Sequence, residues 1–420
     1  MKTLLTLLLA IGTGSAWADW PTWRGASRTG ISESKGLLAE WSGKGPPLAW
    51  TSEGLGKGMS SVAIADGKLY VTGRRRQADG REGTQLTSLD AGTGQQFWSL
   101  PICDGGEEPN GTPTVANGMV FVLDRTGNLT AAETASGRKL WQRNLEKEFG
   151  GKMMSGWGWS ESPLADGERL VVTPGGPQAL LVALDQKTGR TLWQSKPPML
   201  GSQGQDGAAY SSVVISKAAG YRHYVQLTGR AVVGVDPEDG RVLWHYGRVN
   251  NGTANIPTPL VWDDHVFVST GYGAGAALLR ISREAKGLKA TEVYFLESRT
   301  FQNHHGGMIL YGGHIYAGTG HNNGFPICLE AATGKVKWGG ERHPEGKESA
   351  AITMADGRLY FRYQNGVMAL IDATPEAYRE RGHFQLPEED GPSWPHPVVD
   401  DGKLYIRTQD KLHCFDVGAR

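Results

Sequence analysis

The chain is poor in thiols. Of its 420 residues only Cys103, Cys328 and Cys414 are cysteine. No two are adjacent and none sits in a Cys-x-x-Cys pair, which argues against a thiolate metal site and a redox motif. Three is an odd count, so one disulfide would leave a cysteine over. Buried free thiols are the expected state of all three. Net charge is missing too, since 43 Lys plus Arg balance 43 Asp plus Glu. No basic field exists to hold nucleic acid or an anionic membrane surface. Beyond the N-terminus no apolar run is long enough for a membrane helix. No Gly-x-Ser-x-Gly, His-Glu-x-x-His or phosphate-loop motif occurs. TGYGAGAALLR (270–280) looks like a dinucleotide loop, but it falls between two strand-like runs with no helix after it, so it fails the context that loop needs.

The first 18 residues read as an export signal. Lys2 supplies a positive start, LLTLLLAIG a short apolar stretch, and Ala16-Trp17-Ala18 a cleavage site. The mature chain is expected to begin near Asp19 and to be soluble, in the periplasm or secreted. No cysteine follows the apolar stretch at the cleavage point, so no lipid anchor is expected. Residues 19–40 are expected to form an arm lying across the surface of a single domain at 41–420.

What is abundant is glycine, 60 residues against a usual share of roughly 7%, and tryptophan, 14 residues. Glycine without a collagen period points to many tight turns. Tryptophan recurs in one setting: TGQQFW ends at Trp98, SGRKLW at Trp141, TGRTLW at Trp193, DGRVLW at Trp244 and TGKVKW at Trp338. The turn glycines Gly94, Gly137, Gly189 and Gly240 lie roughly 40–50 residues apart, and Gly334 follows at about twice that distance. A skipped copy therefore lies between, starting at PTPLVWDDHVFVSTG and ending near VYFLES, with Phe295 where the tryptophan would sit. A degenerate copy begins at ESAAITMADGRLYF. The last, PHPVVDDGKLYIRTQDKLHCFDV, has three strands, and PPLAWTS (46–52) with Trp50 supplies a fourth.

Each unit holds an Asp-Gly or Asn-Gly pair followed by alternating strands, so each is a four-stranded antiparallel meander. Repeats of this length and content predict an eight-bladed β-propeller closed by an N-terminal strand. Stacking the sheets radially buries faces that one sheet alone would expose. Trp50, Trp98, Trp141, Trp193, Trp244 and Trp338 are assigned to docking between blades.

With these repeats in view, ALDQKTGRTLW (183–193) resembles the tryptophan-docking motif of the pyrroloquinoline quinone (PQQ) propeller superfamily. That superfamily includes eight-bladed quinoprotein alcohol dehydrogenases and the assembly lipoprotein BamB. DWPTWRGASRTGIS (19–32) is similar to the start of many secreted bacterial PQQ-like repeat proteins. The resemblance covers nearly the whole mature chain and implies fold more strongly than activity. Quinoprotein dehydrogenases are typically longer, carry an adjacent Cys-Cys disulfide, and often add a Cys-x-x-Cys-His haem domain. None of these features is present here.

Residues just before each innermost strand should form a funnel at one end of the channel. They are Met59 and Ser60, Asn110 and Thr112, Trp159 and Glu161, Tyr210 and Ser211, Asn255 and Thr258, His304 and His305, Lys347 and Glu348, and Trp394 and His396. Loops 152–162 and 301–307 are expected to overhang it. By the resemblance, Trp159, Glu161 and Asn255 would be loose analogues of the residues holding PQQ and Ca²⁺, with no counterpart for the catalytic Asp. A second reading gives Glu161, His304, His305 and His396 to a metal such as Zn²⁺ or Cu²⁺. Adjacent His304 and His305 on a strand would point to opposite faces, so only one could take part. A third makes the polar ring a set of hydrogen-bonding partners in a wet channel. Tyr210 and Glu348 are further binding candidates. The expected function is a non-catalytic binding or assembly scaffold, a monomer without cofactor, meeting an envelope protein, peptide or glycan through the funnel. The alternative is a PQQ- and calcium-dependent alcohol or sugar dehydrogenase.

Overall fold

The computed structural model describes residues 19–77, 80–285, 287–339, 345–387 and 394–419. The expected export signal lies outside them. The strands form eight four-stranded antiparallel sheets, one of which gains a short fifth strand. In chain order, blade 1 spans 63–104, blade 2 114–144, blade 3 164–194, blade 4 214–246, blade 5 260–296, blade 6 308–339 and blade 7 350–385. Blade 8 takes three strands from 398–416, and its outer strand is Leu48–Ser52, paired with Lys411–Asp416. This is the expected eight-bladed propeller with N-terminal closure. Its inner hairpins turn on the expected dipeptides. Asp66 and Gly67 have φ of 51° and 70°, Asn117 and Gly118 of 52° and 72°, which suits the two-residue turn. Cys328 and Cys414 are buried free thiols, and Cys103 is a partly buried one.

The repeated tryptophans join neighbouring blades. Trp98 Nε1 donates to Thr134 O (3.2 Å), Trp141 to Gln186 O (2.8 Å) and Trp193 to Pro237 O (2.9 Å), each acceptor lying in the next blade's outer turn. The ring lies flat on that turn's glycine. A Cβ on Gly189 (φ 69°) would come within 2.8 Å of Trp141, so the contact itself requires glycine. Trp50 packs in the same way on Gly94, across the closure. Trp338 reaches Thr374 O.

Two positions differ from expectation. Blade 5 lacks the Thr-Gly-x-x-x-Trp sequence; its outer hairpin is the long pair Gly275–Glu284 and Gly287–Leu296. Trp244 turns onto its own blade, where Nε1 donates to His223 Nε2 (3.1 Å) and the ring covers Gly234. In blade 5 the docking ring is Tyr294 rather than Phe295. A bulge between Leu278 and Leu279 sets Tyr294 opposite Leu278, as Trp193 is set opposite Ala183. Its hydroxyl donates to Ala331 O (2.8 Å), and its ring meets Gly334. Phe295 lies instead under the Arg248 guanidinium, 3.7 Å away.

The arm also departs from expectation. It does not lie across the surface: residues 20–34 enter the channel and bond to the inner edge of blade after blade. Ile64 N donates to Trp20 O and Val115 N to Pro21 O (2.8 and 2.7 Å). Arg28 donates to Ser162 O and Val213 O, both at 3.0 Å, and also to Pro163 O. Trp23 Nε1 reaches Thr258 Oγ1 (3.4 Å), and Arg24 donates to Met308 O. The chain then runs down blade 7 as Ile31–Ser32, parallel to Ala350–Ala355. Trp23 also stacks edge-on with His396 of blade 8, centroids 4.4 Å apart. One loop thus touches all eight blades. The physical reason is the inner strand edge, a row of backbone groups that need partners, which an inserted backbone and long side-chain donors supply here in place of water.

Trp193 is nearly fully buried between blades 3 and 4. Trp193→Ala should cost roughly 3–5 kcal/mol in denaturant unfolding; an unchanged midpoint would contradict the docking role.

Candidate functional site

The inserted loop closes the channel and leaves a funnel at one end, with a cavity of about 310 Å³. Trp23 and Arg24 form its floor. Its wall includes Met59, Asn110, Trp157, Tyr210, Ile256, Thr258, Tyr272, His304, His305, Trp394 and His396. Loops 152–162 and 301–307 do contribute to it, through Trp157, Ser160 and the histidines. Tyr210 is held by Ser155 Oγ (2.6 Å) and meets the Trp157 ring edge-on. Asn110 Nδ2 donates to Ser160 Oγ (2.9 Å).

Many of the predicted polar positions join blades, and Thr258 both joins blades and lines the cavity. Ser61 N donates to Thr112 Oγ1, Thr112 N to Ser162 Oγ, Ser162 N to Ser212 Oγ and Ser212 N to Thr258 Oγ1, at 3.0–3.3 Å. This belt of hydroxyls runs from blade 1 to blade 5. Ser60 serves the neighbouring Arg407 of blade 8. Ser211 gives its carbonyl to Gln226. Lys347 and Glu348 are exposed and do not line the cavity, and the Glu348 carboxylate accepts from Gln364.

The three residues assigned to PQQ and Ca²⁺ do not converge. The Glu161 carboxyl is buried in the wall, where Oε1 accepts from Thr173 N (2.9 Å) and Oε2 from Gln226 Nε2 (3.1 Å). Trp159 is a core ring between blades 2 and 3 that covers Gly127 and donates to Thr173 O. Asn255 braces its own loop, with Oδ1 accepting from Asn251 N and Nδ2 donating to Gly229 O, both at 3.0 Å. None of the three lines the cavity, so these residues do not fit a quinone with its calcium.

The metal grouping fails for a related reason. Among the described residues no three His, Cys, Asp or Glu side chains converge on a possible ion position, and Glu161 faces away. The histidines themselves are closer than expected. Residues 304 and 305 lie outside any strand, so the alternation rule does not apply. Their rings are 4.4 Å apart, and His304 is 4.3 Å from His321. His304 Nε2 pairs with the Tyr272 hydroxyl (3.1 Å), and His396 Nε2 with His305 O (3.1 Å). Burial lowers all these pKa values, His304 to about 4, His396 to about 3 and His305 well below its usual value. At neutral pH the imidazoles are uncharged. Burial pushes Glu161 up to about 7 against its hydrogen bonds and the nearby Arg28 cation.

The sequence reading missed Trp23, Arg24, Trp157 and Tyr272. The two floor residues were assigned to a surface arm. A pair of arginines in WRGASR, a segment without acids, was the available sign that their partners would be backbone carbonyls.

Comparison with known proteins places this geometry. The family model described as outer membrane protein assembly factor BamB matches residues 35–156 and 82–340. The chain belongs to the BamB family. A relative in that family, BamB of Moranella endobia (strain PCIT), is 22% identical over 258 residues, 60% of this chain and 59% of the relative. The chain therefore spans less than two thirds of the length of such relatives. The crystal structure of BamB from Moraxella catarrhalis matches with a TM-score of 0.62 at 12% identity, over 89% of this chain and 98% of that one. Quinohemoprotein alcohol dehydrogenase from Comamonas testosteroni matches with a TM-score of 0.65 at 14% identity, over 96% and 81%. At such identities the structural likeness speaks for the fold alone.

The raised Glu161 pKa has a consequence for stability. Its folded value, about 7, exceeds the unfolded value of about 4.3. Its contribution is present in acid and is lost as pH rises through 7. The buried histidines, whose values are lowered, act oppositely over an overlapping range, so the effect of Glu161 is read from the difference between two proteins. Between about pH 4.3 and 7 the melting temperature of wild type should fall relative to that of Glu161→Gln, and the difference should level off above about pH 7. Equal slopes for both proteins would contradict the assignment.

Proposed function

We propose that this propeller is a non-catalytic scaffold of the cell envelope, working in the periplasm in the assembly of outer-membrane proteins. The funnel rim and the loops around it would meet a protein partner. The observation that carries this reading is the orientation of Glu161. Its two oxygens are engaged by Thr173 and Gln226 inside the wall, so the one acid at funnel level in blade 3 is spent on joining blades 3 and 4. The cavity wall is built from aromatic rings and neutral imidazoles, which suits binding better than proton transfer. Family membership over residues 35–340 supports the assembly role. Among the described residues no helix is long and apolar enough to cross a membrane, and the export signal expected at 1–18 would deliver the chain to the periplasm.

Deleting the chain in its native host should lower the amount of β-barrel protein in the outer membrane. Wild type and Glu161→Gln should restore it equally. Unchanged β-barrel levels, together with quinone-dependent alcohol oxidation by the purified protein supplied with PQQ and Ca²⁺, would overturn the reading.

A further inference from the structure

The floor of the funnel holds a buried cation that has no counter-ion among the described residues. Arg24 is 5% exposed. Its Nη2 donates to Thr29 O (2.7 Å) and Met308 O, both neutral backbone carbonyls. Its Nη1 has no partner. Burial alone lowers its pKa, to about 10, so it stays charged at neutral pH. An unpaired donor on a buried charge is costly, and an anion placed beside it recovers that cost.

The wall carries a second unsatisfied group. Neither ring nitrogen of His305 has a partner, although the ring sits against Trp394 (5.1 Å) and His304 (4.4 Å). Uncharged imidazole offers one donor and one acceptor, so it can serve a polar ligand without repelling a charge. Among the described residues no carboxylate lines the cavity to compete for the cation. The rest of the lining is mostly apolar and includes the rings of Trp23, Trp157, Tyr210 and Trp394, and the volume of about 310 Å³ lies at the small-ligand end of known sites, roughly 300–1,000 Å³.

We propose that the funnel binds an organic carboxylate with a flat apolar body, the carboxylate meeting Arg24 on the floor and the body lying among Trp23, Trp157, Tyr210 and Trp394. The site stands on the cavity itself and does not depend on the assembly role. The same chemistry is offered by a free aromatic acid and by the C-terminus of a polypeptide ending in an aromatic residue.

The test uses indole-3-acetate and indole-3-acetamide, and a tetrapeptide ending in phenylalanine as free acid and as amide. Each is titrated into the purified mature protein by calorimetry, and the phenylalanine peptides also by tryptophan fluorescence. At least one acid should bind, with its amide about tenfold weaker or more, and the acid that binds identifies the source. Trp157→Ala, at a half-exposed rim position, should weaken that binding while leaving the melting temperature unchanged. Arg24→Met should remove the preference for acid over amide. If Arg24→Met does not fold, the acid–amide comparison on wild type still decides. No binding of either acid up to about 10 mM, or equal binding of acid and amide, would overturn the proposal.

Discussion

The structure depends on a loop of backbone and two arginines inserted where eight sheet edges meet. A propeller leaves the inner edge of every blade facing a shared channel, and each edge carries groups that must be paired or wet. Here residues 20–34 supply the pairing. Arg28 gathers three carbonyls from blades 3 and 4, and Arg24 reaches blade 6. Guanidinium suits this role, because one side chain presents five donors in a planar fork. The belt of Ser and Thr hydroxyls does the same work one layer further out, and the docked tryptophans do it at the rim.

This arrangement also sets the electrostatics of the funnel. The loop turns at the funnel floor, so its arginine cation lies beneath the cavity, while burial keeps the histidines above it neutral. Glu161, which the channel position had suggested as a ligand, is withdrawn into the wall between Thr173 and Gln226. The result is an aromatic cup over a positive floor. A fold shared with quinoprotein dehydrogenases need not carry their chemistry, because function resides in the residues that converge and not in the blades.

Much of the architecture was legible in the sequence. The Thr-Gly-x-x-x-Trp spacing and the Asp-Gly turns encode packing that is local to one blade and its neighbour, so blade number and ring closure followed. The errors fell where a local pattern met a distant constraint. Phe295 looked like the docking ring, but the pairing sets Tyr294 at the position that the tryptophan takes in other blades. The rule of alternating faces misjudged His304 and His305, which lie outside any strand. Two-residue offsets before each inner strand placed Trp159, Glu161 and Asn255 at the right height but could not say which way they turn. Nor could any periodicity show that residues 20–34 pass through the ring, since the segment repeats nothing and its partners are carbonyls spread over the whole chain.

The most direct test of the inserted loop is native-state hydrogen exchange at the amides of Ile64, Val115 and Met354, which donate to Trp20, Pro21 and Gly30. If the loop is the hub of the ring, these amides should exchange only as slowly as global unfolding allows. Exchange at the rate of exposed hairpin tips, with the blade cores still protected, would contradict it.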